Sequence, residues 1–331
     1  MSDLALTSLE PAPDPMAAES DLAEGISSSS RSPAQLAVRR FLRHKAAVTG
    51  SIVLLIITAA VLLAPWIAPY GETELVGDPR TESIAFLRPQ SAYWFGTDSI
   101  GRDMYSLILW GGRVSLFIGV AVAFSAAIIG TLIGAFAGFK GGKFDDFLMR
   151  ATDLFLAFPL LVALLVIRQL PEKQAWARTA FGETTSIRLT ITLLVIVSWM
   201  ATARIVRGQV LSLKEKEFIE AARALGATNW RIISRHLIPN CIGPIIVAAT
   251  FTVAAAIITE STLSFFGFGV QPPHVSWGNL LAGSKSYIGQ GKWWLIVFPS
   301  LALLFTVLAI NFIGDGLRDA FDPKQAKEKA A

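Results

Sequence analysis

The sequence predicts an all-α integral membrane protein with six helical spans. Three observations carry that prediction. First, 53% of its 331 residues are hydrophobic and only 16% are charged, whereas a soluble domain carries about a quarter charged residues. The mean hydropathy of +0.53 agrees. Second, uncharged apolar runs recur at roughly the length a bilayer requires, about 20 residues for ~30 Å of hydrocarbon. Third, Lys and Arg gather in alternate connections between those runs.

Residues 1–34 are rich in Ser, Ala, Pro and acids, with Ser27–Ser30 consecutive, a composition that predicts a disordered tail. The tail is too long and too acidic for the start of an ordinary signal peptide, so the first span is read as a retained anchor. That span is Ala46–Ala64, 19 residues without a charge, within an anchor unit over residues 35–70. A loop over residues 71–110 follows. Residues 111–323 form a core with spans at Val114–Phe139, Leu154–Ile167, Leu189–Ala203, Cys241–Thr259 and Trp293–Gly314, and residues 324–331 are a short tail. The second and third of these runs have only 14 and 15 residues. Arg168, Arg188 and Arg204 bound them and can snorkel to the interface, so both are taken as spans.

The net charge of +4 is small, and its placement says more than its size. With the N-terminus inside, 19 of the 29 basic residues fall on the cytoplasmic side, seven of them between Arg204 and Arg235. Both termini are therefore assigned to the cytoplasm. Gly130, Gly134 and Gly138 put small residues on one face of the second span, which reads as close helix packing, with a sliding surface as the alternative.

Between the fourth and fifth spans lies a loop over residues 207–240 that is not disordered in composition. Leu211, Phe218, Ala222 and Leu225 recur at helical spacing, and Gly226 is a natural stop. Thr228 can cap a second short helix with Trp230, Ile233 and Leu237 along one side, ended by Pro239. Helix, glycine turn, helix is also the outline of a DNA reader. Here both ends run directly into membrane spans, which leaves no room to grip a duplex, so no nucleic-acid partner is expected. Docking into a groove of another protein and lying on lipid headgroups both remain open on physical grounds.

Glu220-Ala221-Ala222, three residues, Gly226, nine residues, then His236-Leu237-Ile238-Pro239 resembles the EAA loop of ABC importer permeases. His236 stands where the general pattern has Ile and Ile238 where it has Leu, and the Arg-His-x-x-Pro-Asn run resembles the peptide branch. Phe95–Asp103, Ser261–Gly269 with Pro272-Pro273 and Ser276-Trp277-Gly278, and Gly314–Asp319 with Asp322-Pro323 resemble the C-type subunit of dipeptide and oligopeptide importers. The similarity covers roughly residues 35–323, and Arg168–Ser186 departs by being longer and more charged. The resemblance implies the type I importer permease fold, a bacterial inner-membrane location, and ATP-driven uptake of short peptides by alternating access. It implies a homologous B-type permease, two ATPase subunits that bind ATP and Mg, and an extracytoplasmic peptide-binding protein as partners, besides membrane lipid. It makes Glu217, Glu220, Ala221, Ala222, Gly226 and Pro239 the ATPase-coupling positions. Nickel-chelate or other small-solute uptake is the alternative within the family.

Other chemistry finds little support. Gly142-Lys143-Phe144 and Gly291-Lys292-Trp293 both fail to complete a P-loop, so this chain is expected to hold no cofactor and to draw its energy from a partner. Cys241 is the only cysteine, and His44, His236 and His274 lie far apart, so no metal site is expected. No nucleophile–base constellation suggests an enzyme. A proton-coupled carrier would be expected to hold several intramembrane acids, and Glu260 stands nearly alone. Glu260 reads either as a pathway or gate residue or as a helix-end charge reaching the outer interface. Asn311 is a second pathway candidate. Gly314, Asp315 and Gly316 read as the end of the last helix. Asp98, Arg102 and Asp103 read as a turn held by an Asp–Arg pair, with an outer-face contact to the delivering protein as the functional alternative.

Overall fold

The computed structural model describes residues 33–78, 84–157, 162, 166 and 185–322. The described residues fold into helices and connecting loops, with no strand among them. In chain order the helices are α1 (Pro33–Arg43), α2 (Lys45–Leu62), α3 (Ala64–Ile67), α4 (Met104–Lys140) and α5 (Gly142–Ala157). There follow α6 (Thr185–Leu213), α7 (Glu217–Ala224), α8 (Asn229–Ile232), α9 (Ile238–Asn240), α10 (Ile242–Phe265), α11 (Trp277–Ser284) and α12 (Trp294–Phe321). Five of them, α2, α4, α6, α10 and α12, are long and apolar enough to cross a membrane. They coincide with five of the six expected spans to within two residues or run beyond them. The sixth, Leu154–Ile167, lies mostly outside the described residues, as do most of Arg168–Ser186 and both tails.

Several helix ends depart from the apolar runs, and caps set two of the starts. The α4 helix begins ten residues before Val114, because Asp103 Oδ2 accepts from the Ser106 amide at 2.8 Å and from its hydroxyl at 2.7 Å. Such a side chain satisfies an amide that would otherwise be orphaned at a helix start. The α2 helix starts in the same way: His44 Nδ1 accepts from the Ala47 amide at 3.1 Å. The α12 helix corrects an expectation. It does not end at Gly314–Gly316 but continues to Phe321. These glycines serve contact: a Cβ on Gly314 would stand 2.9 Å from the Phe251 ring, and one on Gly316 would stand 2.3 Å from the Ala47 Cβ.

Small residues set the packing of the bundle, since helices in lipid associate by close approach of their backbones. The glycine stripe of α4 faces α6. A Cβ on Gly130 would meet the Trp199 carbonyl at 2.6 Å, one on Gly134 the Ala203 carbonyl at 2.3 Å, and one on Gly138 the Arg207 carbonyl at 3.0 Å. The contacts advance together along both helices, so α4 and α6 run parallel. Gly50 of α2 lies against Ala309 of α12 in the same manner. At one end of the bundle Val206, Val210, Ile219, Ile232, Ile233 and Leu237 form a cluster beneath the 214–240 hairpin. At the opposite end Met104, Leu107, Val275, Leu280, Trp294 and Leu295 form another. Both α1 and the last turn of α12 lie at the hairpin end, where Arg40 donates to the Asp322 carbonyl at 3.3 Å.

Candidate functional site

The hairpin is built as the sequence suggests, with two differences. The α6 helix extends to Leu213, so Leu211 belongs to the span helix and not to the hairpin. The α7 helix ends on Leu225, and Gly226 takes φ +78°. Gly226 donates its amide to the Arg223 carbonyl at 2.9 Å and Ala227 donates to the Ala222 carbonyl at 3.0 Å. These two bonds form a Schellman turn, with Ala222 and Ala227 both packed on the cluster below. Thr228 Oγ1 then accepts from the Arg231 amide at 3.4 Å and caps α8. A π-turn over Ile233–Leu237 joins α8 to α9, and the helical path runs nearly unbroken from Asn229 to Phe265.

The second difference concerns which residues anchor the hairpin. Ile219 is the buried residue of α7, and Ile232, Ile233 and Leu237 are the buried residues beyond it. Phe218, Ala221 and Leu225 are exposed and share a neighbouring, outward face at i, i+3 and i+7. Leu225 is 89% exposed. Glu217 and Glu220 are exposed beside them, Ala222 is half-buried, and Pro239 is exposed within α9. Trp230 is also turned outward, stacked on Phe136 at 5.8 Å between ring centres. Apolar periodicity could not separate the two faces, because each carries large apolar side chains.

Glu260 does not reach an interface. It is fully enclosed within α10. Its Oε1 accepts from Ser264 Oγ at 2.7 Å, and its Oε2 lies 3.4 Å from both Ser115 Oγ of α4 and Ser261 Oγ. Ser115 Oγ in turn accepts from the Trp277 amide at 3.2 Å, and Ser276, the N-cap of α11, stands 3.5 Å from Ser264 Oγ. The carboxyl group thus links α10, α4 and the start of α11 through hydroxyls. Ser264 stands at helical spacing from Glu260 in the sequence, and Ser261 directly follows it. Ser115 lies 145 residues away and gave no local signal. Asn311 is half-buried in α12, away from this cluster, and Asp315 is exposed.

At the same end, Asp98 folds its own turn. Oδ1 accepts from the amides of Ile100 and Arg102 at 3.0 and 2.9 Å, and Oδ2 accepts from Arg102 Nε at 2.8 Å. The second guanidinium contact is also 2.8 Å. Asp98 and Asp103 are buried and structurally committed, Asp103 as the α4 cap. Arg102 remains partly open, on the wall of a cavity of about 260 Å³ that it shares with His274 and Pro273.

Residues 130–327 match the family model of the binding-protein-dependent transport system inner membrane component. Residues 32–83 match the N-terminal TM domain of oligopeptide transport permease C. The chain belongs to this permease family. A putative peptide transport system permease protein of Brucella abortus is 40% identical over 90% of this chain and 94% of its own length. The dipeptide transport system permease protein DppC of Bacillus subtilis is 38% identical over 91% of this chain and 89% of its own. The oligopeptide transport system permease protein OppC of Haemophilus influenzae is 41% identical over 89% of each. In fold, the permease is similar to a chain of the inward-facing MetNI methionine ABC transporter, with a TM-score of 0.52 at 21% identity. That match covers 66% of this permease and 98% of the other chain.

The permease is therefore a multi-pass membrane subunit, and in its family ATP hydrolysis resides in separate subunits. The EAA pattern and the coupling helix are typical features of the same family. Sequence reasoning missed one constellation beside the hairpin. Arg207 of α6 grips Asp145 of α5 with two contacts, at 2.5 and 2.6 Å. One turn away, Arg204 pairs with Asp153. The partners lie 62 and 51 residues apart, so no local pattern could reveal them.

Proposed function

We propose that this permease is one transmembrane half of an ATP-driven importer for di- and oligopeptides. The hairpin end faces the cytoplasm, where α7 seats in a cleft of a separate ATPase subunit. A homologous B-type permease forms the other half of the pathway. Two ATPases carry ATP and Mg, and an extracytoplasmic binding protein delivers the peptide to the opposite end. Closure of the ATPases pushes the hairpin and reorients the spans, so that the pathway opens alternately to each side. The two states must differ in their binding energy for the partners.

The observation that supports this best is the outward face of α7. Phe218, Ala221 and Leu225 form an apolar stripe on a short helix held from below by Ile219, with Glu217 and Glu220 exposed alongside. An amphipathic helix with anchors at this spacing suits a groove in another protein. The excess of Lys and Arg at the hairpin end supports its cytoplasmic placement. The named substrates of the relatives support peptides as cargo. The Glu260 cluster ties the start of α11 to α4 and α10, which supports a gating role for that carboxyl group.

The test is reconstitution of the permease with ATPase, B-type permease and peptide-binding subunits from the same genome, in liposomes loaded with ATP and Mg. A radiolabelled dipeptide should accumulate only with ATP and binding protein present. Accumulation driven by a proton gradient without ATP would overturn the reading.

A further inference from the structure

Helix α1 presents a surface that neither the coupling loop nor the pathway explains. One face is docked: Ala37 is buried, Phe41 packs against Gly316, and Arg40 donates to the carbonyls of Ala320 and Asp322 at 3.5 and 3.3 Å. His44 stands 3.5 Å from Asp319. Three turns of helix are thereby fixed against the end of α12. The opposite face is open and holds Val38, Arg39, Leu42 and Arg43, which with Gln35 line a shallow groove of about 470 Å³. Around the helix the apolar pair Val38 and Leu42 lies on one flank and the arginines on the other.

Three features say what covers this face. Neither Arg39 nor Arg43 makes an ion pair or hydrogen bond among the described residues. The sequence has no Asp or Glu between Glu24 and Glu72, so no acid on the same stretch competes for them. Of the acids at the end of α12, Asp319 is on the docked side against His44, and Asp322 meets Arg40 of that same docked side through its carbonyl. Depth decides the rest. The uncharged part of α2 begins immediately after Lys45 and runs to Leu62, 17 residues or about 26 Å of helix, most of the hydrocarbon layer. Lys45 therefore marks the boundary, and Arg43 and Arg39 lie within two turns of it. The headgroup layer is about 5–8 Å thick on each side, so the groove opens into it.

We infer that the Val38–Arg39–Leu42–Arg43 face of α1 is a binding site for anionic phospholipid headgroups. The guanidinium groups take the phosphates, and Val38 and Leu42 rest on the upper acyl chains. Because α1 is clamped to α12, the bound lipid holds the first and last helices of the chain together. The inference does not depend on which leaflet α1 faces.

The full-length protein, purified in mild detergent, would be titrated with phosphatidylglycerol and, separately, phosphatidylcholine, and the bound lipid counted by native mass spectrometry. Soluble glycerol phosphate is the control for a free anion site. Each basic residue near an anionic surface contributes about fivefold. Arg39→Ala/Arg43→Ala should therefore bind phosphatidylglycerol about 25-fold more weakly, with an unchanged circular dichroism spectrum. Arg39→Lys/Arg43→Lys should keep the preference within a few-fold, which separates charge from folding. Equal binding of both lipids by the native chain would overturn the inference. So would competition by millimolar glycerol phosphate, or unchanged phosphatidylglycerol binding in the alanine variant. Loss of ATPase copurification with lipid binding unchanged would reassign the face to a protein.

Discussion

Replacing Gly226 by leucine isolates the hairpin turn from the rest of the fold. Nothing lies within 4 Å of a Cβ built at Gly226, so the new side chain meets open space. The perturbation is entirely in the backbone. An L-residue held at φ +78° costs about 1–2 kcal/mol. If the turn opens instead, it loses the Gly226–Arg223 and Ala227–Ala222 bonds, at about 1 kcal/mol each. The chain takes the cheaper course, so the cost is capped near ~2 kcal/mol, about a 30-fold shift in local opening. Hydrogen exchange over residues 217–227 should accelerate by that factor, while exchange in α4 and α6 stays unchanged. In reconstituted vesicles the variant should insert normally and lose peptide uptake per ATP hydrolysed. Wild-type uptake together with accelerated exchange would show that the turn is not the coupling element. Unchanged exchange would refute the strain argument itself. A Cβ at Gly134, by contrast, would strike the Ala203 carbonyl at 2.3 Å and damage the bundle.

Two further outcomes follow from the buried polar groups. Arg207→Ala leaves the Asp145 carboxylate buried without its partner, and the melting temperature in detergent should fall by the equivalent of about 2–4 kcal/mol; adding Asp145→Asn should restore at least half, and no recovery would refute the pairing argument. Glu260→Gln keeps the shape and still offers an acceptor to the serines, so it should cost less than ~1.5 kcal/mol, whereas Glu260→Ala strands the Ser264 hydroxyl and should cost about 2–4 kcal/mol by thermal unfolding; equal losses would show that the serine links carry no stability.

What could be read from sequence was set by locality. The apolar runs located five spans that the structure bears out as helices, because the bilayer imposes a length on each segment separately. The Gly226 turn and the Thr228 cap were legible for the same reason: both are satisfied by residues within five positions. Helix ends were not legible where caps and packing extend the helix past the apolar run, as at Asp103 and at Gly314–Gly316. A glycine that allows close contact and a glycine that ends a helix are the same letter. The sequence leaves Glu260 open between a pathway residue and an interface charge, because its enclosing partner Ser115 comes from another helix. Ile219 and Phe218 could not be sorted into inner and outer faces, since α7 offers apolar side chains on both sides.

The helix α10, continuous from Ile242 to Phe265, has a mechanical meaning. The second limb of the hairpin reaches it through a π-helical turn at Ile233–Leu237 and through Pro239, two features that bend helices. The stretch that behaves as one rod is therefore α10, joined to the hairpin at one end and bearing Glu260 toward the other. From Ile242 to Glu260 that rod is about 27 Å long. Pivoted near its hairpin end, a tilt of about 8° would swing the carboxyl group sideways by about 4 Å, more than the reach of any hydrogen bond it makes. A crowbar of this length needs no relay of small rearrangements between its two ends.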